Sequence, residues 1–98
     1  MKRVDDNHKG IVEGLRQLGA TVQSLAECGH GVPDLLCGHR GRNFLFEVKN
    51  PDMPPSKRKM TPDEEKWHQR WNGTVHIVES LEDAICILTG HSRRKERT

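Results

Sequence analysis

Asp34-Leu35-Leu36-Cys37-Gly38 and Asn43-Phe44-Leu45-Phe46-Glu47-Val48-Lys49 are the two best strand candidates in the chain, and little separates them beyond Arg40-Gly41. The rest of the chain must be arranged around that hairpin. If Arg40 and Gly41 form a two-residue turn, which the glycine permits, His39 pairs with Arg42. Counting back along both strands, Asp34 falls opposite Glu47. Directly opposed residues share a sheet face, with Cβ atoms about 4.5–5.5 Å apart. Lys49, two positions beyond Glu47, shares that face because strand side chains alternate. A slip of one residue would send Asp34 to the other face. Phe44, Phe46 and Val48 form the opposite face, the expected core. Leu36 and Leu45 lie on the carboxylate face and need cover, expected from the first helix. Both faces then read as largely buried, as in a central strand pair of a mixed sheet.

The flanks supply the remaining elements. Asp5 and Asp6 can cap a helix that runs to about Leu18, with Ile11, Val12, Leu15 and Leu18 at helical spacing and Gly19 as the stop. His8 precedes Ile11 and Val12 by three and four residues and is expected on their buried face, whereas Glu13 falls off the stripe. Ala20 to Leu25 alternates as a half-buried strand, and Glu27 to Val32 reads as a loop. Pro51 to Met60 holds three prolines and three basic residues and is expected to be an irregular surface loop. Thr61-Pro62-Asp63-Glu64 is a strong helix start, with a threonine N-cap, proline at the first helical position and glutamate at the capping-box position. That helix should stop at Asn72-Gly73. Val75 to Val78 is a short strand, and Ser80 caps a last helix closed by Gly90. The expected order is αβββαβα, in a single domain over 1–90 followed by a basic flexible tail at 91–98.

Ninety-eight residues suffice for one small core. A net charge of +2 does not by itself call for nucleic acid. Its distribution says more: Arg40 and Arg42, Lys57-Arg58-Lys59 and the tail from Arg93 to Arg97 concentrate positive charge in loops and at one end. The start Met1-Lys2-Arg3 runs straight into acids, unlike a secretory signal, and no apolar run approaches membrane-spanning length. Three cysteines form no even set for a disulfide framework. A reducing cytoplasm and no membrane partner are the expectations.

Two acids brought together on a sheet face repel unless a cation lies between them. Magnesium takes oxygen ligands and keeps several waters, so two carboxylates and a backbone carbonyl suit it. Water activated by such an ion could attack phosphorus, with Lys49 positioning it or steadying transition-state charge. An ordinary Asp/Glu/Lys salt-bridge cluster is the plainer reading. Pro33 before the acid, the strand-turn-strand spacing and the shared face favour the metal.

Gly31-Val32-Pro33-Asp34-Leu35-Leu36 followed by Phe46-Glu47-Val48-Lys49 resembles the PD-(D/E)xK nuclease signature. More narrowly, the chain is similar to the small stand-alone virus-type replication-repair nucleases (VRR-NUC) of phages and prophages, relatives of archaeal Holliday-junction resolvases. Asp6-x-His8, Gln23-Ser24-Leu25, Gly41-Arg42-Asn43, Pro54-Pro55-Ser56 and Thr61-Pro62-x-Glu64-x-x-Trp67-His68-x-x-Trp71 extend the resemblance over most of the chain. It implies a restriction-endonuclease-like α/β fold, a mixed central sheet flanked by helices, hydrolysing DNA phosphodiesters with Mg2+ or Mn2+. Asp34 and Glu47 match the metal-binding acids, Lys49 the catalytic lysine, and the carbonyl of Val48 a position that completes the metal shell. Many relatives carry an acid or amide on the first helix, where the stripe puts His8, a candidate metal contact through water. Others have a second-helix glutamine where Glu64 or Glu65 stands; Glu64 is explained as a cap, which leaves Glu65 as the expected site contact. Arg40, Arg42, Lys57, Arg58 and Lys59 are the expected DNA contacts. Branched or structured DNA, such as a Holliday junction, a homodimer, and the cytoplasm of a bacterial or phage-infected cell follow by resemblance.

Cys28-Gly29-His30 and Cys37-Gly38-His39 invite a zinc site, but a single intervening residue is short for a ligand pair, and Cys37 points to the core by alternation. Trp67 and Trp71, one helical turn apart, are expected to close the core with Ile77 and Ile85. The rival function is a non-catalytic DNA-binding module with structural acids.

Overall fold

A computed structural model of the chain describes residues 6–90. The Asp5 cap and the basic tail at 91–98 lie outside the described residues. Helix α1 spans Asp6–Gln17, β1 Thr21–Ser24, β2 Leu35–His39, β3 Arg42–Val48, α2 Pro55–Arg58, α3 Pro62–Arg70, β4 His76–Val78 and α4 Leu81–Thr89. The expected order is observed with two short additions, the first a 3₁₀ turn at Ala26–Cys28 that enters the segment read as a loop. The proline-rich segment is not wholly irregular, because Pro55 opens the four-residue helix α2, a position where the missing N–H costs nothing.

The four strands form one sheet in the order β1-β2-β3-β4. The first two pairings are antiparallel, and β3 runs parallel to β4. Leu35 pairs with Phe46, Cys37 with Phe44 and His39 with Arg42, the register that a two-residue turn demands. Arg40 and Gly41 have φ of 52° and 80°. Both lie in the left-handed region, so the turn is of the primed kind whose twist matches the strands.

Alternation divides the sheet sharply. Val22, Leu35, Cys37, Phe44, Phe46 and Val78 point to one face and pack with Ile11 and Leu15 of α1 and Ala84 and Leu88 of α4. Phe46 is fully buried there, a burial that stabilises by roughly 1.5–3 kcal/mol. Helix α1 thus covers the Phe44/Phe46 face, and not the Leu36/Leu45 face that the sequence suggested. Its apolar stripe can satisfy only one face, and the larger side chains are on this one. Leu36 stays 38% exposed and Ile77 50%. Trp67, Trp71 and Ile77 are absent from the core, while Ile85 packs against it. The two indoles stack on each other instead, with centroids 4.6 Å apart and planes at 18°. Among the described residues no helix is long and apolar enough to cross a membrane.

Candidate active site

Asp34 sits one residue before β2, held there by backbone and by α3. Its carbonyl accepts the Leu25 N–H at 2.8 Å, extending the β1 pairing by one step. Gly31, at φ +83°, packs under the first turn of α3, where an added Cβ would run into the Asp63 carbonyl. Only glycine fits that approach and that backbone angle. Pro33, fully buried, follows, and the Asp34 carboxylate then reaches across to β3, where Oδ2 accepts the Val48 N–H at 2.7 Å. The N–H and C=O of a strand residue leave by the same edge, so the Val48 carbonyl is also turned toward Asp34.

Glu47 is next on β3 and is 2% exposed. Lys49 Nζ stands 3.7 Å from its Oε2. Burial first, and then the Asp34 and Glu64 carboxylates, push Glu47 up to about 9, while Lys49 pulls it down. Glu47 Oε1 is shielded from solvent and has no hydrogen-bond partner. The hairpin register therefore gathers Asp34, Glu47 and Lys49 at one end of one face.

Helix α3 supplies the facing wall. Its N-terminus is a complete capping box: Thr61 Oγ1 accepts the Glu64 N–H at 3.1 Å, and Glu64 Oε1 accepts the Thr61 N–H at 3.0 Å. The same Oε1 also accepts Lys49 Nζ at 2.9 Å. Burial pushes the Glu64 carboxyl up, but the hydrogen bonds from Lys49 and Thr61 and the lysine charge outweigh it and hold it below its usual value. One helical turn on, His68 Nε2 lies 3.5 Å from Glu47 Oε1. Glu65, the expected second-helix contact, is exposed, and Glu64 takes that place. In the sequence, capping is a sufficient account of Glu64 because it satisfies the local backbone. The sequence signal available was the four-residue spacing to His68, which puts both on one face.

On the first helix the residue that reaches the site strand is Asn7, not His8. Asn7 Nδ2 donates to the carbonyls of Lys49 and Glu79, both at 3.1 Å, and so ties α1 to the ends of β3 and β4. The helix line that meets the sheet is Asn7, Ile11 and Leu15, four residues apart. His8 lies to one side of that line, half-buried in a surface groove with Lys9, Val12, Glu13 and Arg16. Val12, only half-buried itself, was the misleading member of the stripe.

The basic residues do not converge on one place. Lys57 and Lys59 are exposed on and just after α2, in the segment leaving Lys49. Arg40 and Arg42 are at the hairpin tip, where Arg42 is five residues from Glu47, or about 17 Å along the strand. The Arg42 guanidinium lies 5.1 Å above the Phe44 ring. Cys37 is buried and Cys28 exposed. Among the described residues no three His, Cys, Asp or Glu side chains are arranged to hold a metal by themselves.

That last fact limits what ion could fit. Lys49 and the Thr61 N–H occupy Glu64, which leaves Asp34, Glu47 and the Val48 carbonyl as the oxygen donors. A hard cation that keeps most of its water needs no more. The Asp34 and Glu64 carboxylates both act on Glu47, a single lysine pairs with Glu47 and Glu64, and the buried Glu47 Oε1 lacks a hydrogen bond, so the donor set suits an added positive charge.

Among solved structures, the chain is similar to one described as a "VRR_NUC domain", with 29% identity and a TM-score of 0.57. The match covers 81% of this chain and 87% of that one. No family model and no curated protein matches the chain. The likeness, with the four-stranded mixed sheet and its flanking helices, supports the VRR-NUC family and its α/β fold.

Proposed function

We propose that the protein is a DNA nuclease of the virus-type replication-repair kind, hydrolysing phosphodiester bonds with Mg2+ or Mn2+ at Asp34, Glu47 and Lys49. The observation that carries this reading is the buried Glu47 carboxyl, whose Oε1 makes no hydrogen bond, beside Asp34 and Lys49, in a chain that resembles a VRR_NUC domain. A bound divalent ion would supply Lewis-acid activation of water and of the phosphate. Asp34, Glu47 and the Val48 carbonyl would hold it. Lys49, paired with Glu64 at 2.9 Å, steadies the phosphate oxygens as negative charge builds. Water adds to phosphorus, one ester P–O bond breaks, and the leaving oxygen takes a proton.

Branched DNA such as a Holliday junction is the proposed substrate. A homodimer would present two such sites to two strands, and the uncovered apolar side chains Leu36 and Ile77 beside the site are consistent with a contact between copies. The proposed setting is the cytoplasm of a bacterial or phage-infected cell. Lys57, Arg58 and Lys59 are the proposed phosphate contacts nearest the cut, with Arg40 and Arg42 touching DNA farther away.

The test is cleavage of labelled junction, flap, splayed and linear DNA with Mg2+, with Mn2+ and with chelator. Metal-dependent nicking should vanish in Asp34→Ala and fall about 10²–10³-fold in Lys49→Ala while DNA binding persists. Binding with no cutting on any substrate would instead mark a non-catalytic DNA-binding module.

A further inference from the structure

Glu47 and His68 face each other with unused polar atoms. Glu47 Oε1 and His68 Nε2 are both shielded from solvent, and neither makes a hydrogen bond, yet they stand only 3.5 Å apart. Buried polar groups are nearly always paired, and a lone one asks for a reason. Here an acceptor and a possible donor are left over at the same spot, and one interaction drawn slightly tighter accounts for both. A neutral imidazole with its proton on Nε2 is donor enough; no change of charge is required.

The ring is also held where such a bond needs it. His68 follows Glu64 by one turn on the same face of α3, and Glu64 is anchored by Lys49 and by its own cap. Trp67 meets the imidazole edge-on, centroids 6.0 Å apart and planes at 73°, and is itself braced by Trp71. The side chain is 12% exposed, so it has little room to turn away.

We propose that His68 is a positioning residue for Glu47. Its Nε2–H takes Oε1 and leaves Oε2, the oxygen nearer Lys49, to the divalent ion. A group that hydrogen-bonds a ligand carboxylate decides which lone pairs face the metal, and losing such a partner typically weakens metal binding about 10–100-fold. The inference rests on the nuclease reading above, and its experiment separates the two.

Calorimetric titration of Mn2+ into metal-free wild type, Glu47→Ala, His68→Leu and His68→Gln, with nicking assayed on the same samples, decides it. The glutamine side chain places an amide N–H near the position of Nε2; leucine fills the space without a donor. Wild type should bind Mn2+ and Glu47→Ala should not. His68→Leu should bind about 10–100-fold more weakly and lose kcat without a change in KM for DNA, and His68→Gln should recover most of both. Wild-type Mn2+ affinity in His68→Leu, or no recovery in His68→Gln, overturns the positioning role while a cutting wild type keeps the nuclease reading. A wild type that neither binds Mn2+ nor cuts overturns both. One measurement needs no variant to fold: nitrogen-15 spectra of the wild-type ring should show the neutral form protonated on Nε2, and a proton on Nδ1 instead rejects the proposal.

Discussion

The two faces of the β2–β3 hairpin are built from alternate residues of the same two strands, and they are held in different ways. On one face Leu35, Cys37, Phe44 and Phe46 pack under α1 and α4 with essentially no water left. On the other, α3 contributes no buried residue. It is held by the Gly31–Asp63 backbone contact, by Lys49–Glu64 and by the approach of His68 to Glu47. Apolar packing is non-directional and cheap to satisfy, so it can carry the stability of a small domain. Polar contacts are directional and leave charges poised, which suits a site. On the proposed function, the domain gives one face to each task.

If that division holds, variants on the two faces should fail differently. The largest effect is expected on the apolar side: Phe46→Ala should lose about 3–5 kcal/mol of stability, read by urea unfolding, and abolish activity only because the domain unfolds. Across the sheet, Lys49→Ala should cost about 10²–10³-fold in nicking rate with a melting temperature close to wild type. A large drop in melting temperature there would break the comparison, since it would make the polar face a second core.

Glu64 sharpens it, because it serves both tasks at once. Glu64→Gln keeps a capping side chain but loses the charge opposite Lys49, whereas Glu64→Ala loses both. Alanine should therefore lower stability by about 1 kcal/mol, the usual worth of a helix cap, and glutamine much less, while both reduce cleavage. Equal stability in the two variants would mean that the capping box contributes nothing.

The pH dependence follows from Glu47. Its carboxyl is raised from 4.5 to about 9 in the folded protein, so folding favours the neutral form. The resulting stability is complete below the unfolded value near 4.5 and is lost as pH climbs toward 9. The metal-free protein should melt at lower temperature at pH 8 than at pH 5. Glu47→Gln should remove most of that fall and raise the pH 8 melting temperature by about 5 °C, roughly the effect of 1 kcal/mol in a domain of this size. Glu64, held low, acts in the opposite sense and loses its contribution as pH drops through and below its unfolded value. Because a cation must displace the Glu47 proton, Mn2+ affinity should rise with pH over the same window. The smallest effect is expected at α2: removing Lys57, Arg58 and Lys59 together should flatten the salt dependence of DNA binding by about 0.9 in slope for each duplex phosphate that is no longer neutralised.

Much of this arrangement can be read from residue order. A two-residue turn leaves no slack, so Arg40-Gly41 is enough to set the hairpin register and, through it, the side shared by Asp34, Glu47 and Lys49. The start of α3 is equally plain, since Thr61, Pro62 and Glu64 satisfy local backbone needs that do not depend on the rest of the molecule. The proline run reads as irregular yet holds α2, because proline bars a helix interior but not a helix start. What residue order does not show is which way each helix turns. Helical spacing specifies a stripe, not the partner it meets, so His8 looks better placed than Asn7, and Glu65 freer than Glu64.

The chain order alone thus determined the strand pairing and the meeting of two acids and a lysine, because both follow from turn length and the alternation of side chains. Only the tertiary structure decided which helix covers which face, and so brought Asn7, Glu64 and His68 to the site. Those choices are made by the competition of whole surfaces for burial, and no local pattern of residues records its outcome.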